Sequence, residues 1–337
     1  MRMTRTSRSS SGFVQSSDRP MTDINSLTQA RLPPASLIIC SRDRPKLLAE
    51  TIESVLRGDE VPTELIIIDQ SDVPHPALAS LKSGRSCEIR YLWTHSAGLS
   101  RARNTGIAAA RHAILAIIDD DMFVEPAWFG ALIRALLNSG ERAVVTGRVL
   151  PTAPEVPGGF VPTFMPSEVR AVYEGRIGTD VLAGGHMAAY RSILDAVGGF
   201  DERLGAGADF PAADDNDLGF RLLEAGYRII YAPEAVLYHR AWRGKGEYMA
   251  ARWSYGRGKG GYYSKYLSYK DLYMLRRMAW DILHRVFRFP FLVWLDPRRA
   301  CGDLVYIAGI LSGTTRWAWT QLKISHGDTA IRPSGAK

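Results

Sequence analysis

The run Ile117-Ile118-Asp119-Asp120-Asp121 sets three consecutive carboxylates at the end of an apolar stretch that begins at Ala113. A buried, unpaired carboxylate is costly, and adjacent carboxylates repel one another. Such a cluster needs water, a cation or cationic side chains around it. The carboxyl end of a buried strand is also where an open α/β sheet binds its ligand. A hard divalent ion, Mg²⁺ or Mn²⁺, suits an all-oxygen cluster. The competing reading is an N-cap for a helix opening at Pro126, but a cap uses one Asp, not three.

Four further groups carry chemistry. Ser41, Arg42 and Arg44 follow the first apolar stretch, and Asp69 and Asp72 follow the second. Either arginine could meet a pyrophosphate or stack on a base, and Asp69 could accept hydrogen bonds from a base or ribose. A surface ion pair between neighbouring loops explains the same residues equally well. Gly98-Leu99-Ser100-Arg101-Ala102-Arg103-Asn104-Thr105-Gly106 puts small and cationic residues at a helix start, where a phosphate can approach. It is neither a GxGxxG nor a P-loop pattern. Asp214-Asp215-Asn216-Asp217 opens another helix just after a glycine-rich segment. Its acids could cap the helix and favour its dipole, or one could serve as a general base. His239 ends an apolar strand and could ligate a metal through a neutral nitrogen, or be a hydrogen-bonded surface group.

The elements that must hold these residues read as strands at Ser36–Cys40, Glu64–Ile68, Ile89–Trp93 and Ala113–Ile118, with helices at Lys46–Leu56 and Leu99–His112. That alternation predicts a parallel, doubly wound α/β sheet with its ligand edge at the strand ends. Beyond Pro126 the spacing predicts a helix to about Asn138, a strand at Ala143–Leu150 and a Pro/Gly-rich loop at Pro151–Pro166. A helix follows at Asp214–Ala225, closed by Gly226, with short strands at Arg228–Tyr231 and Ala235–Tyr238.

The 337 residues allow a large core with an appendage. Three distant cysteines, Cys40, Cys87 and Cys301, form no CxxC or Cys/His cluster, which argues against a zinc site or disulfide framework. The net charge of +7 is uneven: Arg240–Arg299 holds 14 Lys and Arg against 4 Asp and Glu. That concentration favours a phosphate-bearing partner. Residues 1–34 are Ser- and Arg-rich without an apolar centre and read as a disordered leader rather than a secretory signal; Met21 is a second candidate start. No uncharged apolar run is long enough to span a membrane; Leu304–Thr315 comes nearest and contains two glycines.

Taken in order, Cys40-Ser41-Arg42-Asp43-Arg44-Pro45, Ile68-Asp69-Gln70-Ser71, Ala102-Arg103-Asn104-x-Gly106, Asp119-Asp120-Asp121, Gly198-Gly199-Phe200-Asp201 and Asp214-Asp215-x-Asp217-Leu218 resemble family 2 glycosyltransferases over about residues 35–240. The resemblance implies an inverting, metal-dependent enzyme of GT-A fold. Asp119 and Asp121 match a D-x-D motif: Asp121 would coordinate the ion on the donor diphosphate, and Asp119 would hold the ribose or assist the metal, with Asp120 beside them. Asp69 resembles the acid that reads the nucleobase, Arg103 a position near the diphosphate, and Asp215 the catalytic base of an E-D motif whose Glu is here Asp214. His239 is similar to a late metal-site His. Gly184, Gly185 and His186 fall where members line an acceptor pocket, and Asp214 is grouped with them.

The expected organisation is a leader at 1–34 and a GT-A domain at 35–245, with a nucleotide half at about 35–125 and an acceptor half at about 126–245. A helical extension follows at 246–325, and a disordered tail at 326–337. The implied donor is a nucleotide-diphospho-sugar, with UDP as the default. The implied acceptor is a saccharide or lipid-linked saccharide in cell-envelope glycan synthesis, made in the cytoplasm, with peripheral membrane contact. Arg243, Lys245 or Arg257 would assist the leaving diphosphate. The stretch Tyr255-Gly256-Arg257-Gly258-Lys259-Gly260-Gly261 reads as a flexible lid. Leu275–Trp294, mixing arginines with Trp and Phe, reads either as an interfacial helix on anionic lipid or as a helical cap with a solvated basic face. A sugar nucleotidyltransferase would be expected to carry a glycine-rich phosphate loop after strand one, where Ser41–Pro45 has no glycine. A nucleic-acid-binding protein would leave the acidic clusters unexplained.

Overall fold

Strand β1 (Ala35–Ser41) is flanked by β2 (Glu64–Asp69) and β4 (Ile114–Asp119), and β3 (Glu88–Trp93) lies outside β2, all parallel. The computed structural model describes residues 31–79, 86–161, 163–240 and 242–329; the expected leader up to residue 30 lies outside them. β1 and β2 are Ile- and Leu-rich and buried throughout, and β4 is buried up to Ile118, as strands covered on both faces by helices must be. The edge strand β3 is only half-buried and carries Glu88 and Arg90, charges that discourage further pairing. Helices α1 (Pro45–Leu56) and α2 (Leu99–Ala109) make the crossovers. Pro45 opens α1, where its missing N–H costs nothing.

The second half of the sheet adds antiparallel pairs. β8 (His186–Tyr190) lies antiparallel to β4 and to β6 (Ala143–Pro151). β9 (Arg228–His239) runs parallel to β6, and β5 (Met122–Val124) and β7 (Ala171–Tyr173) lie antiparallel to β9. The fold is therefore α/β, wholly parallel across β3, β2, β1 and β4. Helices α3 (Trp128–Ser139), α4 (Arg191–Val197) and α5 (Asp214–Glu224) complete it. β9 is one strand where two short ones were expected. The register against β6 slips between Gly147 and Arg148, opposite Pro233, so the proline produces a bulge rather than a break.

Beyond the sheet come α6 (Tyr248–Lys265), α7 (Tyr273–Leu295) and α8 (Pro297–Thr329), within the same compact unit. The last helix runs past 326, where a tail was expected to begin, and residues 330–337 lie outside the described set. The glycine-rich stretch expected as a flexible lid is instead the middle of α6. Its glycines form contact surfaces: a Cβ on Gly256 would lie 2.2 Å from Tyr306 O, and one on Gly260 2.2 Å from Ile310 O. The partner helix answers with Gly309 and Gly313, whose added Cβ atoms would lie 2.7 Å from Trp253 O and 2.2 Å from Arg257 O. Each helical glycine costs about 1 kcal/mol of intrinsic propensity; close backbone packing along α6 and α8 is what it permits. Gly260→Leu therefore overpacks this seam, costing about 3 kcal/mol or more and lowering Tm by roughly 5–10 °C. Gly178→Ala, where an added Cβ meets nothing within 4 Å, is the control expected to leave Tm unchanged in the same melts.

Candidate active site

Sheet register assembles the site. Ser41 pairs with Asp69 and Cys40 with Asp119, so the ends of β1, β2 and β4 share one edge. Met122 pairs with His239 across β5 and β9, which delivers the histidine beside Asp121. A cleft of about 640 Å³ opens there, lined among others by Ser41, Arg42, Arg44, Arg103, Asp119, Asp120, Asp121, Asp214, Asp215 and His239.

The three adjacent carboxylates are divided among different partners. Asp119 Oδ1 accepts from Arg103 at 2.7 Å. Asp120 accepts from the Ser41 hydroxyl at 2.6 Å and from Arg44 at 3.2 Å. Asp121 accepts from the same Arg44 nitrogen at 3.0 Å. Burial, reinforced by Asp121, pushes the Asp120 carboxyl up to about 7. Burial also pushes Asp121 upward, but His239 and Arg44 outweigh it and hold its carboxyl below the usual range. This is the neutralisation that the sequence demanded, supplied largely by Arg44 and Arg103.

Asp121 Oδ1 faces His239 Nε2 at 3.3 Å, yet that buried oxygen makes no hydrogen bond. Neighbouring ligands of an octahedral ion with bonds of about 2.1 Å lie about 3 Å apart, so the pair fits two adjacent corners of such a shell. Among the described residues no three His, Cys, Asp or Glu side chains form a metal-holding group. Asp119, expected as a further ligand, is turned to Arg103. The residues present thus fit an ion held by two side chains and completed by diphosphate and water, as small hard ions prefer.

The two acidic clusters, 95 residues apart in sequence by their numbering from Asp120 to Asp215, meet through one side chain. Arg103, 3% exposed, bonds Asp119 with one terminal nitrogen and Asp214 Oδ2, at 2.5 Å, with the other. None of the acids opening α5 caps it: the N-cap is Ala213, in the left-handed region at φ 70°, with no side-chain cap. Asp217 is structural, fully buried and bonded to Arg221, Lys265 and Tyr266. Asp215 is left facing the cleft. Burial, with the nearby Asp214 and Asp180 carboxylates, pushes its carboxyl up to about 7 against the pull of Arg103 and Lys259. Gly184 and Gly185 line the cleft because larger residues would not fit: a Cβ on Gly185 would lie 2.0 Å from Asp119 Oδ2, and one on Gly184 3.0 Å from Asp215 Cβ.

Three sequence expectations are corrected. Asp69 is 0% exposed, with one oxygen taken by the Ser71 amide and hydroxyl and the other by the Tyr91 hydroxyl. It shapes the loop, and Gln70 beside it is the residue that lines the cleft. His186 borders the cleft as expected, but its ring turns into the core, where Nε2 accepts from the Trp128 indole at 2.8 Å. Of Arg243, Lys245 and Arg257, only Arg243 lines the cleft; Arg257 bonds the Asp209 carbonyl instead. Arg252, Arg285 and Tyr306 line it unforeseen, together with Tyr255 and Lys259 of the supposed lid.

Known proteins share part of this sequence and its fold. Residues 36–198 match the family described as glycosyl transferase family 2. A glucosyl-dolichyl phosphate glucuronosyltransferase of Haloferax volcanii is 25% identical over 226 residues, covering 63% of this chain and 71% of that protein. A pre-mycofactocin glycosyltransferase of Mycobacterium tuberculosis is 29% identical over 46% of this chain, which spans only 33% of that relative's length. Among solved structures, mannosyltransferase PcManGT from Pyrobaculum calidifontis, in complex with GDP-Man and Mn²⁺, superposes with a TM-score of 0.57 at 15% identity over 86% of this chain and 88% of that one. GalNAc-T7 with UDP, GalNAc and Mn²⁺ gives 0.51 at 15% identity over 73% and 53%. At such identities these structures share the fold.

Proposed function

We propose that this chain, which belongs to glycosyl transferase family 2, transfers a sugar from a nucleotide-diphosphate donor to an acceptor hydroxyl with inversion at the anomeric carbon. The observation that carries the reading is Arg103, which ties Asp119 to Asp214 and so sets Asp121 and Asp215 on one cleft. In the reaction Asp215 takes the proton of the acceptor hydroxyl as its oxygen attacks the anomeric carbon. The bond from that carbon to the diphosphate oxygen breaks on the opposite side, and a single displacement inverts the centre. Asp121 and His239 would hold Mg²⁺ or Mn²⁺, which when bound neutralises charge on the departing diphosphate. Arg44 and Arg243 stand at the same cleft to share that charge. Ser41, Arg42 and Asp120 line the nucleotide end, with Gln70 placed to meet the base. Gly184, against Asp215, and Gly185, against Asp119, border the part of the cleft that would take the acceptor, a saccharide or lipid-linked saccharide of the cell envelope.

Calorimetric titration tests the metal and nucleotide assignments together. UDP, GDP and dTDP are titrated with Mn²⁺, with Mg²⁺ and with EDTA. One nucleotide is expected to bind tightly only with a divalent ion, and Asp121→Ala is expected to weaken that binding by at least about tenfold. Unchanged nucleotide affinity in EDTA would overturn the role given to Asp121 and His239.

A further inference from the structure

Helix α7 is inside out for a cap that faces water. Three of its four arginines are engaged by protein partners: the buried Arg277 bonds Asp180 at 2.6 Å and Tyr262 at 2.8 Å, and the partly exposed Arg288 bonds Asp303 at 2.8 Å. Arg285 lies over the Tyr306 ring and pairs with Asp281. The large apolar side chains turn outward. Trp280 is 70% exposed, Phe287 and Phe291 71% each, and Trp294 87%. With Leu283 they recur every three or four residues, which places them on one stripe of the helix. Leu304 and Leu311, seven residues apart, add an exposed apolar stripe to α8.

Charge separates the possible occupants. The only carboxylate within α7, Asp281, faces inward to Tyr263 and Tyr306. Asp296, at the junction, is taken by the first turn of α8 through the Arg299 amide. Arg276 and Arg299 are exposed beside the stripe. An apolar, tryptophan-bearing face with cations and no free carboxylate on the helix complements an anionic lipid surface. The inner faces of the same helices supply Arg285 and Tyr306 to the catalytic cleft, beside Arg252 and Lys259 of α6.

We propose that the outer face of α7, with the start of α8, lies on an anionic membrane, and that the acceptor is a lipid-linked molecule presented to the cleft from that surface. The second clause rests on the sugar-transfer reading; the first does not. No helix among the described residues is long and apolar enough to cross a bilayer, so the contact is peripheral.

The test is co-sedimentation of the full chain with vesicles of phosphatidylcholine alone and of phosphatidylcholine and phosphatidylglycerol mixed two to one. The chain is expected to pellet with the mixed vesicles, less so at high salt, with a blue shift of tryptophan fluorescence. Replacing Trp280, Phe287, Phe291 and Trp294 together by Ser is expected to lower the partition coefficient at least about tenfold, leaving hydrolysis of the donor sugar by water unchanged. Arg276→Glu is expected to lower binding to mixed vesicles only. Three results would overturn the proposal: no vesicle-dependent pelleting, equal pelleting of the quadruple variant, or a dimer in light scattering that the quadruple variant dissolves, since a second copy would then cover the face. Vesicle binding without any donor turnover would instead sink the sugar-transfer reading and leave the membrane contact standing.

Discussion

Asp215→Asn lowers kcat by about 10²–10⁴-fold while nucleotide affinity stays at its wild-type value. The asparagine keeps the shape of the carboxylate and its bond to the Asn216 amide but cannot accept the acceptor's proton. Asp214 cannot substitute, because its carboxylate is held by Arg103. A matching loss of nucleotide affinity in calorimetry would move Asp215 from the reaction to the donor site. The pH profile offers a second check. With its carboxyl pushed up to about 7, Asp215 must lose a proton to act, so kcat/KM rises with pH through that value. Asp120 also titrates near 7, so the limb should survive Asp120→Asn and vanish in Asp215→Asn.

The same shift has a stability sign. The folded protein holds the Asp215 proton more tightly than the unfolded chain, whose Asp titrates near about 3.9. The stabilising contribution is therefore complete below that value and is lost as pH rises through about 7. At pH 8 the wild type carries a buried anion that Asp215→Asn does not, so the variant should melt at a higher temperature, and the difference should close toward pH 4. A variant that is both slower and more stable is the usual mark of a site strained for its chemistry.

Arg103→Met lowers the stability of the protein by about 3–5 kcal/mol, or of the order of 10 °C in Tm. The guanidinium is nearly inaccessible and serves two carboxylates from different halves of the fold. Methionine retains the bulk over the Phe200 ring and removes the charge. Asp119 and Asp214 are then left facing each other without a cation. Adding Asp119→Asn and Asp214→Asn to Arg103→Met should restore much of the Tm but no activity. If the triple variant melts as low as the single one, packing rather than charge was lost. Loss of transfer without loss of Tm would mean that the carboxylates find another cation.

The parallel strands β1, β2 and β4 were legible because they are buried on both faces and end in residues that cannot be buried alone. Ile114–Asp119 announces its own boundary, and the neutralisation of Asp119, Asp120 and Asp121 follows from charge. What the sequence could not show is direction. Asp69, in a pattern that pointed to base recognition, has both oxygens consumed by Ser71 and Tyr91, a pairing set by the lateral neighbour β3. His186 sits in an apolar strand whose alternation decides core or cleft, and Trp128 decides the matter from another element. The glycines of α6 resemble those of a loop because composition cannot distinguish a residue chosen for freedom from one chosen for smallness. Only the opposing Gly309 and Gly313, some fifty residues on, reveal the second reason.

Helix α6 also touches the segment that carries Asp215. An added Cβ on Gly258 would lie 2.6 Å from the Ala212 carbonyl, and one on Gly261 2.4 Å from the Phe210 ring. The backbone turn at Ala213, which launches Asp214 and Asp215, thus rests on that helix as on an anvil. A chain shortened near residue 245 would keep every strand of the sheet, yet lose the support that aims Asp215. Exchanging modules between relatives should accordingly succeed at the nucleotide end and fail when the final three helices are swapped without the 205–213 stretch they brace.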